Sequence, residues 1–102
     1  MDIATKTFWT PNGPVEGVQT KWQGFNILLV AGSRGFLACP AIDVQACNGY
    51  GVASALVESN ADNPIGTLER FAERKITRVN EKAKALGITE GTTAKEAFAL
   101  IA

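Results

Sequence analysis

Cys39 and Asp43 are the side chains whose type and spacing could do chemistry here, in the run Gly35-Phe-Leu-Ala-Cys-Pro-Ala-Ile-Asp. A thiol just ahead of a helix start lies near the positive end of the peptide dipole, which favours the nucleophilic thiolate. Asp43 opposes this, because a carboxylate at the same helix end competes for the amides and repels a thiolate. There is no histidine among the 102 residues. Ser-His-Asp and Cys-His catalysis are therefore impossible within the chain, as is a histidine-ligated metal site. Two cysteines fall short of a closed zinc site, so no metal and no cofactor is expected. Cys39 then has two readings: a small buried hydrophobe, as free cysteine usually is, or the nucleophile of a thiol-dependent enzyme. Asp43 reads as an N-cap, a contribution of about 0.5 to 2 kcal/mol, with a catalytic or ligand-binding role as the alternative. Both are carried forward as candidate catalytic and candidate ligand-binding residues. Cys47 follows Asp43 at helical spacing, so a helix would set it above Asp43, and it could meet Cys39 only if the chain doubled back.

The elements that must position these residues are strands before the motif and mostly helices after it. Ile3 to Trp9 is rich in Thr, Phe and Trp and runs into Thr10-Pro-Asn-Gly-Pro14, a dense turn signal, so a hairpin is expected with Val15 to Trp22. Gln23-Gly24 turns the chain into Phe25 to Ala31, whose Ile27-Leu-Leu-Val30 run suits a central strand buried on both sides. Gly32-Ser-Arg-Gly35 reads as a tight connection to a strand over Phe36 to Ile42. It is not a phosphate cradle, since such loops precede a helix. A short helix is expected after Asp43, broken at Gly49-Tyr-Gly51, and then a strand of small residues over Val52 to Glu58. Leu68, Ala72, Ile76, Val79, Ala83 and Leu86 recur at helical spacing and predict a helix over 67–86; the alternative is a break near Lys75 to Thr77, where Thr77 would cap a second helix. Gly87 serves as its C-cap. Thr93 with Glu96 forms a capping box for a last short helix. A continuous helix would also line up Arg70, Arg74, Arg78 and Lys82 as a basic stripe, though Glu69, Glu73 and Glu81 lie among them and make a solvated face the simpler reading.

Ten basic and ten acidic residues balance. No global field steers the chain to nucleic acid or an anionic membrane, and neither is an expected partner. No apolar stretch approaches the roughly 20 residues that span a bilayer, and no leader pattern opens the chain. A cytoplasmic protein with free thiols is the expectation. Phe8, Trp9 and Trp22 on half-polar strands are more apolar than a solvent face needs, and point to a subunit contact.

Gly35-Phe-Leu-Ala-Cys39 running into Ala41-Ile-Asp43 resembles the YunC-like family of small bacterial and archaeal proteins, domain of unknown function 1805, which typically shows Gly-aromatic-apolar-apolar-Cys-Gly-Ala-Leu-Asp there. Thr67-Leu-Glu69, Ala85-Leu-Gly-Ile88 and Lys95-Glu-Ala97 add to the likeness, which spans nearly the whole chain. The resemblance implies a single domain over 1–102. Its N-terminal β region, 1–42, would assemble subunits into a homotetramer, ahead of a helical region over 64–102; the resemblance implies no reaction. Two departures stand out. Pro40 replaces the family's glycine and removes an amide donor, and the segment after Asp43 is shortened. The expected fold is α+β, an antiparallel sheet of four to five strands followed by two or three helices packed on one face. The expected function is that of a homo-oligomer binding a small ligand near Cys39 and Asp43. A thiol-dependent enzyme, or a partner-binding subunit using the basic helix face, are the alternatives.

Overall fold

A computed structural model describes residues 1–102 as one six-stranded sheet with helices on one side. The strands are β1 (Asp2–Thr10), β2 (Gly13–Trp22), β3 (Phe25–Ala31), β4 (Gly35–Ala38), β5 (Ala53–Val57) and β6 (Ile76–Val79), and they lie side by side in chain order. Every neighbouring pair is antiparallel except β4 with β5. Gln23 and Gly24 carry φ values of 48° and 78°, the paired left-handed conformation that matches a two-residue hairpin to strand twist. The expected turn is therefore present, with a non-glycine residue held in its first position. Residues 39–52 make the crossover between the parallel strands and include a 3-10 helix, Ala46–Tyr50. The helices are α1 (Leu68–Phe71), α2 (Glu81–Ala85) and α3 (Ala94–Ile101).

Side-chain alternation gives the sheet two unlike faces. On the helix side Val15, Leu28, Val30, Leu37, Ala55 and Val57 join Leu68, Phe71, Ala83, Ala97, Phe98 and Ile101 in one core. Gly17 is the reason α1 can sit so close. A Cβ there would lie 3.0 Å from Leu68 Cδ2 and 3.1 Å from the Phe8 ring. Gly32 plays the same part at the other end, where the Ile101 carbonyl accepts from the Arg34 amide at 2.9 Å and occupies the space a Cβ would need. The opposite, outer face of β1 to β3 has no helix over it. By register it carries Ile3, Trp9, Val18, Trp22, Phe25 and Leu29, with Glu16 as its sole charged side chain.

The α+β class and the sheet-then-helices order agree with the sequence reading, and the strands number six rather than four or five. Three expectations need correction. The strand after Gly35 stops at Ala38 rather than Ile42, because Pro40 offers no amide to continue a ladder. The central strand β3 buries only its helix side fully, with Ile27 and Leu29 half-exposed. The helix over 67–86 is two short helices with a strand between them, so the region 64–102 is not wholly helical. Ile76 and Val79 are buried while Thr77 and Arg78 are exposed. The Ile-Thr-Arg-Val stretch, β-branched at Ile76, Thr77 and Val79, fits the pleat, and pairing it to β5 satisfies an edge that a helix would have left open. No basic stripe exists in consequence. Arg74 is itself buried, Arg78 lies on a strand, and the second helix is capped by Asn80 rather than Thr77.

Gly87 and the Thr93–Glu96 capping box stand where expected. The Ile88 and Gly87 amides reach back to the Ala83 and Lys84 carbonyls, and Thr93 Oγ1 accepts from the Glu96 amide. No helix is long and apolar enough to cross a membrane.

Asn80 is the tightest knot in this arrangement. Its Oδ1 accepts from the Ser54 and Ala83 amides, and its Nδ2 donates to the Val44 and Val52 carbonyls and to Ser54 Oγ, all between 2.8 and 3.1 Å. Asn80→Asp replaces two donated bonds to carbonyls by oxygen facing oxygen inside the protein, and should lower unfolding free energy by about 2 to 4 kcal/mol. The urea midpoint of the variant measures this, and a midpoint within error of the parent would contradict it.

Candidate functional site

Cys39 closes β4 against β3. Its amide donates to the Leu28 carbonyl at 3.0 Å, and the Leu28 amide lies 3.5 Å from its Sγ, so the thiol fills an acceptor position on the ladder. The residue is 5% exposed. Pro40 and Ala41 then bend the chain out of the sheet, and an Ile42 amide bond to the Cys39 carbonyl closes that bend. Asp43 follows on the surface. Its Oδ1 accepts from the amides of Gln45 and Ala46 at 3.0 and 3.1 Å, which holds the turn leading into the 3-10 helix, while Gln45 rather than Asp43 takes the N-cap position of that helix. Cys47 sits one turn on, its Sγ 3.6 Å from the Asp43 carbonyl. Both thiols are free.

Beside Cys39 the surface opens into a cleft of about 650 Å³. The β2–β3 turn forms one wall with Phe25 and Asn26, Cys39 to Ala41 form the floor, and Ser59 to Ala61 with Pro64 form the far wall. Asp43 is not part of it. The structure thus leaves the two sequence candidates apart, with the thiol at the cleft and the carboxylate engaged by its own turn. All twelve residues lining the cleft are uncharged. Burying a bare carboxylate or phosphate there would leave its charge uncompensated, at a cost of several kcal/mol. Asn26 supplies the main polar handle. Its Oδ1 accepts from Gln19 Nε2 at 3.1 Å, and its own NH2 makes no bond within the protein.

The far wall is held by a residue that sequence reasoning placed elsewhere. Arg74 is 7% exposed and donates to the Asn63 carbonyl, Asn63 Oδ1 and the Pro64 carbonyl at 2.8 to 3.1 Å. No carboxylate pairs with it, and the chain's one ion pair joins Lys84 to Glu81. Carbonyl dipoles alone offset the buried guanidinium, whose planar fork suits three oxygens held in fixed positions. Nothing in the local sequence marks this role, because the acceptors lie ten and eleven residues upstream and are mostly main chain. Asn60 supports the same loop, its Oδ1 accepting from the Asp62 and Asn63 amides.

No base or acid stands beside the Cys39 thiol among the lining residues, and no group of three or more Cys, Asp or Glu side chains gathers anywhere to hold a metal.

Residues 38–101 match the model of a family described as domain of unknown function (DUF1805). The fold is similar to that of a crystal structure of a protein of unknown function, TA1206, from Thermoplasma acidophilum. The TM-score is 0.84 at 15% identity, covering 99% of this chain and 94% of that one. No curated protein matches the sequence.

Two measurements check this geometry. In native buffer Cys39 should alkylate far more slowly than the half-exposed Cys47, and both should react alike once unfolded. Peptide-resolved mass spectrometry reads the two sites, and equal native rates would show the thiol to be open. Arg74→Ala should free the loop over 59–66, leaving the first proteolytic nick there while far-ultraviolet dichroism stays near the parent's. A parent-like digestion pattern would mean the clasp is dispensable.

Proposed function

We propose, for a chain that belongs to the domain of unknown function 1805 (DUF1805) family, that it is a self-associating binding protein. On this reading its subunits meet through the outer face of β1 to β3, and the cleft at Cys39 receives a small uncharged ligand. One observation carries the first half. An antiparallel sheet facing water is usually polar on that side. Here the uncovered side presents Ile3, Trp9, Val18, Trp22, Phe25 and Leu29, and its one carboxylate, Glu16, is already engaged by Thr7 Oγ1 at 2.9 Å. Trp9 and Phe25 are 78% and 52% exposed. A second copy of the same face is the occupant of matching chemistry, since an apolar, nearly charge-free surface is self-complementary under two-fold symmetry. The homotetramer implied by the family resemblance is the expected size, with a second contact joining two such pairs. Two free thiols suit a reducing compartment, so the cytoplasm is the proposed location.

The ligand half rests on the uncharged cleft, with the Asn26 amide and the Cys39 thiol as its polar groups and Phe25, Pro40 and Pro64 as its apolar walls. Asp43 contributes by fixing the turn that follows the floor, not by touching the ligand. A thiol enzyme is the weaker reading, because the Cys39 sulfur serves as a backbone acceptor and has no neighbouring base.

Native mass spectrometry of the purified protein tests both halves in one spectrum, through subunit number and any retained small molecule. Val18→Glu combined with Leu29→Lys should reduce the assembly to monomers, with little loss of secondary structure because both side chains lie on the uncovered face. A parent protein already monomeric at micromolar concentration would remove the assembly reading.

A further inference from the structure

β1 is the first strand of the sheet, paired with β2 along one side and with nothing along the other. A second cleft, of about 540 Å³, runs beside it. Its lining includes every residue from Lys6 to Pro11 without a gap. Side chains in a strand alternate between faces, so a cleft bordered by five consecutive strand residues, Lys6 to Thr10, lies along the strand's edge, where the unpaired amides and carbonyls are. Across from that edge stand α1 with the turn after it, and α3. They contribute Glu69, Ala72, Glu73, Lys95 and Phe98. The floor is aromatic, with the Phe8 and Phe98 rings 4.8 Å apart between centroids. Neither Lys6 nor Lys95, and neither Glu69 nor Glu73, takes part in an ion pair.

We infer that this groove is a strand-addition site for a polypeptide of different sequence. An extended segment pairs with the open edge of β1 and lays one large apolar side chain over Phe8, Ala72 and Phe98. Main-chain bonds to a sheet edge supply affinity in this mode, and every second side chain supplies selectivity. The rim carries charges of both signs, Glu69 and Glu73 as well as Lys6 and Lys95, so the segment that fits carries a basic and an acidic residue flanking its apolar anchor. A second copy of β1 is a poor occupant. Lys6 is the midpoint of Asp2–Thr10, so two copies paired antiparallel over their full length would set Lys6 directly against Lys6. Like charges opposed across a ladder are destabilising, and a lysine on an edge strand is a common guard against such pairing.

The probe is an acetylated, amidated heptapeptide, Thr-Lys-Thr-Phe-Thr-Glu-Thr, carrying a fluorophore, with binding read by anisotropy. The expected result is saturable binding that falls at least about tenfold when its Phe becomes Ala or its central Thr residues become Pro, which removes amide donors. Glu69→Lys with Glu73→Lys, both at exposed positions, should weaken this peptide by about tenfold and favour the version with Lys replaced by Glu. Thermal melting checks that the double variant remains folded. Hydrogen exchange at β1 amides should slow on saturation with peptide. The proposal is overturned if no saturable binding occurs up to millimolar peptide, if the proline version binds as well as the parent, or if charge reversal leaves the preference unchanged. It is equally overturned if β1 amides in the protein alone are protected in proportion to protein concentration, which would mean that another copy fills the edge.

Discussion

The packing of this molecule depends on one buried amide. Asn80 sits between the end of β6 and the start of α2, and every hydrogen-bonding atom of its side chain is used. It joins three pieces: the crossover after β4 through the Val44 and Val52 carbonyls, the strand β5 through Ser54, and the helix α2 through Ala83. Buried polar networks stabilise when complete and destabilise when partial. The neighbourhood is small-residue throughout, with Ala53, Ser54 and Ala55 on β5 and Ala83 on α2, so the chains approach closely enough for one side chain to reach all of them. The crossover, β5 and the start of α2 are all held at this meeting point.

Around that centre the sheet presents surfaces of different character. Its helix side holds the core. Its uncovered side is apolar and almost free of charge at β1 to β3, while its first edge is open and lined by charges of both signs. These are different kinds of surface. An apolar face favours a copy of itself, whereas an edge with a lysine at its midpoint opposes one. The Cys39 cleft lies between the β2–β3 turn and the Arg74-clasped loop, meeting the uncovered face at Phe25, and its uncharged lining makes it the least demanding of the three in electrostatic terms.

Much of this was legible in the sequence where local chemistry decides structure. The Gln23-Gly24 turn, the Gly32 to Gly35 connection, the Gly87 cap and the Thr93–Glu96 box all lie where their residue types place them. What failed was periodicity over 67–86. Ile76 and Val79 satisfy a helical spacing and also bury as the two ends of a four-residue strand, and the sequence contains no term for the open edge of β5 that chooses between them. Arg74 was unreadable for a related reason. A guanidinium clasping main-chain carbonyls of a distant loop looks, in one dimension, like any solvated arginine. Cys39 and Asp43 were visible as a motif, but only the bend at Pro40 and Ala41 reveals that the first turns to a cleft and the second to its own backbone.

The parallel step between β4 and β5 has a kinetic consequence. β1 to β4 are joined by short turns and can zip locally, but β5 must find β4 across the whole segment 39–52, whose chain entropy is spent before any ladder bond repays it. That closure, rather than any hairpin, should limit the rate at which the molecule assembles from a random coil, and substitutions in the crossover should slow refolding more than they change the final equilibrium.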